Sequence, residues 1–220
     1  MTFTPPILLS IPGVALGWVL ARGCRTDVSS PSLLEEVRIA CARAVASADS
    51  EGSKTRRSEV RNLLRHGVYK PTGRGKPASE YLLNAALGGD FPMINRLVDI
   101  NNLVSVETLL PISLVDLERA GTERFEARRG RSGESYVFNP SGQILELEDL
   151  LLLARLPEET PCATPVKDSQ ATKTHAGTQD VLGAIYAPVP LALEAREAAR
   201  RMAQLMEMHC EARTAWGGAP

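Results

Sequence analysis

The stretch from Ile94 to Asp116 constrains this chain more than any other. From about Asn95 to Glu107, Leu97, Ile100 and Val104 recur at helical spacing, while Asn95, Asp99 and Asn102 fall at i, i+4 and i+7 on another face. Short polar side chains are unfavourable within a helix, because each competes with the backbone for hydrogen bonds. Something in the fold must satisfy three of them. They either cap neighbouring loops or line a small polar pocket that reads the amine and carbonyl of a ligand. Pro111 then breaks the chain, and Leu114 to Arg119 reads as a short turn of helix.

Upstream, the apolar run Ile7 to Ala21 has no Lys or Arg before it and is interrupted by Pro12-Gly13. It suits neither a secretory leader nor a membrane helix of about 20 residues. Val14 to Ala21 reads instead as a buried strand, followed by a turn at Arg22-Gly23. Ser32-Leu33-Leu34-Glu35 fits a capping box with Ser32 as N-cap, ahead of Leu33, Val37, Cys41 and Ala44 at helical spacing. A polar break over Ala48 to Ser53 precedes a helix from Ser58 to Arg65. Another is expected from Ser79 to Leu87, closed by Gly88-Gly89.

After Gly121 the pattern shortens. Arg124 to Arg128 and Ser135 to Phe138 read as a hairpin around Gly130 to Gly133. Gln143 to Leu147, Leu150 to Ala154 and Val181 to Tyr186 read as strands, with a long polar loop over Pro157 to Thr178. A terminal helix is expected from Leu191 to Arg213. Helices and strands are segregated rather than alternating. The expected class is therefore mixed α/β of the α+β kind, with β-rich core sheets covered by helices in one domain over residues 1–220.

With 44% hydrophobic and 23% charged residues in 220, the chain can bury a core without staples. Its four cysteines, Cys24, Cys41, Cys162 and Cys210, lie far apart and form no C-x-x-C pair, so with only three histidines no structural zinc site is expected. Free thiols in a cytoplasmic setting are expected, with no metal, cofactor, membrane or obligatory protein partner. The formal net charge of -1 hides a cluster. Between Lys54 and Lys76 the only acid is Glu59, and Lys54, Arg57, Arg61 and Arg65 share one helical face. Arg57, Arg61, Arg65, Lys70, Arg74 and Lys76 are candidate contacts to a nucleic-acid backbone, since each neutralised phosphate releases counterions. The alternative is a solvated face balanced by acids elsewhere in the fold.

The Pro161 to Thr178 segment is the second candidate site. Lys167, Asp168, Ser169, Thr172, Lys173, Thr174 and His175 crowd donors and acceptors into one loop, which is either functional or a mobile surface. Cys162 with His175 is a weak nucleophile pair beside the reading of a packed thiol. Ser113 sits in no G-x-S-x-G elbow.

Ile94-Asn95-Arg96-Leu97-Val98-Asp99-Ile100-Asn101-Asn102, then Leu110-Pro111-Ile112 and Asp116, resembles the B3/B4 domain, the editing module of the phenylalanyl-tRNA synthetase β subunit. The shared pattern is a Val-Asp, an Asn three residues after that Asp, a Pro, and an Asp five residues on. Pro77 and Ser79-Glu80 match freestanding relatives, and Thr178 to Leu182 with Tyr186-Ala187-Pro188 resembles the closing strand of the same domain. The resemblance spans roughly Lys76 to Pro188. Two departures stand out. Ser113 occupies the position where the synthetase often has His, and Pro161 to Ser169 replaces a Gly-rich segment.

The resemblance implies a freestanding factor that hydrolyses the ester of a mischarged aminoacyl-tRNA in trans, without the synthetase's own aminoacylating parts. Asn102, Ser113, Asp168, Lys173 and His175 are then the candidates for the chemistry. Asn95, Asp99, Asp116, Lys167, Ser169, Thr172 and Thr174 are the candidates for substrate binding, and the basic cluster for tRNA. Two other classes stay open: a tRNA- or RNA-binding module without hydrolysis, and a small protein that binds or hydrolyses an amino-acid-type ligand.

Overall fold

The computed structural model describes residues 5–219, apart from the side chain of residue 219. Met1–Thr4, on which the reading of a missing basic leader rests, lie outside the described residues. The first strands are β1 (Ile7–Leu9) and β2 (Val14–Arg22), the latter on the expected apolar run. The long helices α1 (Pro31–Ser47) and α2 (Glu51–Leu64) follow. Ser30, not Ser32, caps α1: its hydroxyl accepts from the Leu33 N–H at 3.3 Å. Pro31 then takes the first helical position, where a missing N–H costs nothing. Helix α2 starts seven residues earlier than expected, because Ser50 caps it and its polar first turns face outward apart from the buried Ser53.

Helix α3 (Ala78–Gly88) ends where Gly89 takes a φ of 78°, and α4 (Arg96–Thr108) starts from Asn95, whose side chain accepts from the Val98 N–H. The expected helical turn from Leu114 is instead strand β3 (Ile112–Asp116), with α5 (Leu117–Ala120) taking over once Asp116 caps it. Pairing with a distant strand overrides the local pattern here. Strands β4 (Phe125–Arg129), β5 (Ser135–Val137), β6 (Ile144–Glu146) and β7 (Leu151–Arg155) come next. The expected hairpin between Arg124–Arg128 and Ser135–Phe138 does not form. Strand β4 pairs with β1 and β7, and β5 pairs with β6. The long polar loop also yields a short strand, β8 (Thr160–Ala163), on β7. Then follow β9 (Val181–Pro188), α6 (Ala192–Cys210) and β10 (Arg213–Ala219). The terminal helix is thus shorter than expected. It stops where Glu211 turns to a φ of 56°, and the chain re-enters the sheet.

Two four-stranded sheets result, ordered β1-β4-β7-β8 and β10-β2-β9-β3. The second is the middle layer of three. Along β9, Val181, Ile185 and Ala187 enter the core beneath the helices, while Leu182, Ala184 and Tyr186 enter the core between the sheets. That alternation is the period of two of a strand buried on both faces. Helix α6 lies so close to β2 that a Cβ on Gly17 would sit 2.2 Å from the Ala195 carbonyl oxygen. Only glycine permits the approach. The fold is mixed α/β, as the segregation of elements requires. Among the described residues no helix is long and apolar enough to cross a membrane.

Candidate functional site

Strand β3 is the edge of the middle sheet, and its two faces go to different places. Ile112 and Leu114 look toward the helices, where a cavity of about 680 Å³ opens between α3, α4 and the loop after β8. Leu82, Val98 and Val166 add apolar wall, and Asn95, Asn101 and Asn102 add amides from α4. Ser113 points to the opposite face, between the sheets, and is fully buried.

The loop after β8 is ordered by its own polar groups. The Thr164 hydroxyl accepts from the N–H groups of Val166 and Lys167. Thr172 donates through Oγ1 to the Cys162 carbonyl, Ser169 accepts from the Ala171 N–H, and Asp116 N–H bonds the Thr172 carbonyl. Ser169 and Thr172 are therefore buried and serve the loop itself. What the loop delivers to the cavity is Lys167, Asp168, Lys173 and Thr174.

Asp168 closes the open edge of β3. One carboxylate oxygen accepts from the Ser113 hydroxyl at 2.7 Å and the Thr164 N–H at 3.2 Å, and the other from the Leu114 N–H at 3.1 Å. Burial pushes its pKa up to about 6, against the pull of these three donors and of Lys173. Behind it, the Tyr186 hydroxyl lies 3.0 Å from Ser113 Oγ. Tyr186 is itself fully buried and needs an acceptor, so it donates to Ser113, and Ser113 passes its own proton toward Asp168. The same Ser113 hydroxyl lies 3.1 Å from the Thr164 carbonyl, a longer alternative.

Three cations share the cavity with that carboxylate: Arg74, Lys167 and Lys173. Burial lowers the Lys167 pKa, and the charges of Arg74 and Lys173 lower it further. The Lys173 ammonium donates to the Phe138 carbonyl at 2.5 Å, and Lys167 Nζ sits 4.1 Å from the centroid of the Phe138 ring.

The remaining candidates lie elsewhere or are used locally. Asp99, 2% exposed, accepts from the Ser29 hydroxyl at 2.6 Å and the Ile94 N–H at 2.7 Å. Asp116 caps α5 through Arg119 N–H and takes the Thr178 hydroxyl at 2.5 Å. His175 Nδ1 accepts from Gly177 N–H, so its proton is on Nε2, 3.4 Å from Asp116. His175 thus belongs to the Asp116–Thr178 group rather than to the cavity wall. Cys162 is fully buried, donates to the Leu153 carbonyl and has its pKa raised by burial, which suits a packed thiol.

On α2, Arg61 is committed to Glu80 through both carboxylate oxygens, and Arg57 donates to the Ala48 carbonyl at 3.0 Å. Arg65 pairs with Asn62, and Lys70 donates to the Gly67 carbonyl. Lys54, Arg57, Arg61 and Arg65 still line one shallow depression. Arg74 alone of the basic cluster reaches the main cavity, and Lys76 is partly buried beside it in sequence. Sequence reasoning missed Asn101, Phe138 and Tyr186. Only the last carried a signal: a tyrosine inside an apolar strand must find a partner for its hydroxyl.

Among the described residues no three His, Cys, Asp or Glu side chains gather as a metal would require. No curated protein matches the chain. A family model, the B3/4 domain, matches residues 71–211. That range extends the resemblance back to Pro71 and forward through α6. It contains every residue named above as lining the cavity. The chain belongs to the B3/4 domain family.

Proposed function

We propose that this protein is a freestanding editing factor that hydrolyses the ester of a mischarged aminoacyl-tRNA, acting as one domain in the cytoplasm. The observation that carries the reading is the pairing, in one cavity, of the Asp168 carboxylate with the cations Arg74, Lys167 and Lys173. An aminoacyl ester presents the complementary charges: an ammonium beside the carbonyl and a phosphodiester beyond the ribose. Such an ester is already activated, so the site must place a water and stabilise an oxyanion rather than supply a nucleophile. The burial of Ser113 agrees with that.

In this mechanism a water ordered by the Asp168 carboxylate gives that carboxylate a proton as its oxygen attacks the ester carbonyl carbon. The oxyanion that forms faces the Asn102 amide. The bond to the ribose oxygen then breaks, that oxygen takes the proton, and the free amino acid and tRNA leave. Asn102 and Asn95 hold the aminoacyl group from the middle and start of α4, and Lys167 and Lys173, with Arg74 beside them, meet one phosphate. Ser113 acts behind Asp168, and His175 with Asp116 holds the end of the loop that carries Lys173. A second site that removes wrong esters makes physical sense, since a pocket rejects a near-isostere by only about a hundredfold.

The test is ester loss from a panel of mischarged tRNAs. Asp168→Ala and Asn102→Ala should slow it without unfolding the protein. Failure of every ester to turn over above background ends the hydrolytic reading. The basic face of α2 favours one rival, an RNA-binding module without hydrolysis. Salt-dependent tRNA binding with no turnover selects that rival.

A further inference from the structure

We infer that Phe138 is a positioning residue that clamps Lys167 and Lys173 into a paired cradle for one anionic group. The inference rests on the proposed reading for the identity of that group, a phosphodiester, but not for the clamp itself.

Two lysines and an arginine in one cavity repel each other, and each lysine has a flexible four-carbon stem. Left alone, the ammonium groups would spread into solvent. A single residue prevents it. The Phe138 carbonyl accepts from Lys173 Nζ at 2.5 Å, and the Phe138 ring faces Lys167 Nζ at 4.1 Å. The two contacts use different parts of the residue, backbone and ring, so both are made at once.

Phe138 is held in turn. It follows β5 directly and bonds across the hairpin through its N–H to the Gln143 carbonyl at 3.0 Å. The β5–β6 hairpin is keyed to the lysine-bearing loop on its other side. Gln170 N–H bonds the Val137 carbonyl at 2.8 Å, and the Tyr136 hydroxyl donates to the Lys167 carbonyl at 2.6 Å. The hairpin therefore grips the backbone of the loop and the tips of two of its side chains. Donors held in place before the ligand arrives cost no reorganisation when charge develops between them. The chemical class selected is an anion with two oxygens that face two ammonium groups.

Two titrations of the full chain test the clamp, with inorganic pyrophosphate as the probe and mischarged tRNA as the substrate. Phe138→Leu keeps an apolar side chain and the carbonyl but removes the ring. It should weaken pyrophosphate binding about three- to tenfold and raise KM more than it lowers kcat. Phe138→Tyr should restore binding. In a Lys167→Met background, Phe138→Leu should add little, since ring and ammonium form one coupled pair. The thermal midpoint of each variant, held near that of wild type, shows that the effect is not lost folding. Wild-type affinity in Phe138→Leu, a loss undiminished by Lys167→Met, or no pyrophosphate binding by the wild type overturns the clamp. Binding that depends on Phe138 with no ester turnover leaves the clamp standing and removes the hydrolytic reading alone.

Discussion

Helix α4 and the loop after β8 are both rich in polar side chains, and they use them in opposite ways. On α4, Asn95 caps the helix and Asp99 is consumed by Ser29 and the Ile94 N–H. Their polarity is mostly spent on local structure, with Asn101, Asn102 and part of Asn95 left toward the cavity. In the loop, Thr164, Ser169 and Thr172 bond the loop's own backbone, and Lys167, Asp168 and Lys173 face the same cavity, Asp168 while also holding the edge of β3. A polar side chain on a helix competes with a backbone that is already satisfied. In a loop it substitutes for missing backbone partners, and a short hydroxyl residue can release its longer neighbours for other work.

That contrast is best broken where the effect is largest. Asp168→Ala should lower kcat/KM for ester hydrolysis about 10²–10⁴-fold, the range of a positioned acid–base group. In the wild type the rate should rise as pH passes through about 6, because burial raises the carboxyl pKa to that value and the ionised form is the one that orders water. A pH–rate profile checks this, and a flat profile from pH 5 to 8 would remove Asp168 from the chemistry. Asp99→Ala should cost stability alone. It strands the Ser29 hydroxyl and the Ile94 N–H and should cost about 2 kcal/mol in urea unfolding, while turnover by the folded protein changes little. A large loss of turnover at unchanged stability would erase the distinction between the two regions.

Smaller effects sharpen the picture. Asn95→Ala should cost about 1 kcal/mol as a lost cap, read by the same unfolding experiment. On α2 the arginines should split. Arg65→Ala, at an exposed position bonded only to nearby Asn62, should reduce the salt slope of tRNA binding by about one. Arg61→Ala should leave that slope unchanged and lower stability instead, because Arg61 neutralises the buried Glu80. A slope left at the wild-type value by both variants would mean that these two arginines meet no backbone.

Much of the frame was legible from sequence. Helical spacing marked α1, α3 and α4, and unbroken apolar runs marked β2 and β9, because each pattern is local. Strand β3 was misread because its partner β9 begins 65 residues beyond it and leaves no mark on Leu114. The site suffered from the same error. Only a strand sends Ser113 and its neighbours Ile112 and Leu114 to opposite sides, so a helical turn begun at Leu114, with Ile112 and Ser113 in no element, cannot reveal that Ser113 faces away from the cavity. The loop around Asp168 was visible as a density of charge. Which of its residues serve the loop and which face the cavity depended on bonds to Cys162 and Phe138, made across strands that the sequence does not align.

The middle sheet sets a problem of timing. Strand β2 is made among the first residues, yet both of its neighbours, β9 and β10, come from the last forty. A ribosome must therefore release Val14-Ala15-Leu16-Gly17-Trp18-Val19-Leu20, an apolar strand with two unpaired edges, long before the strands that pair with it are made. Whatever shields that segment during synthesis guards the whole fold. The candidate site inherits the delay, since the edge of β3 that Asp168 closes exists only after β9 has docked between β2 and β3.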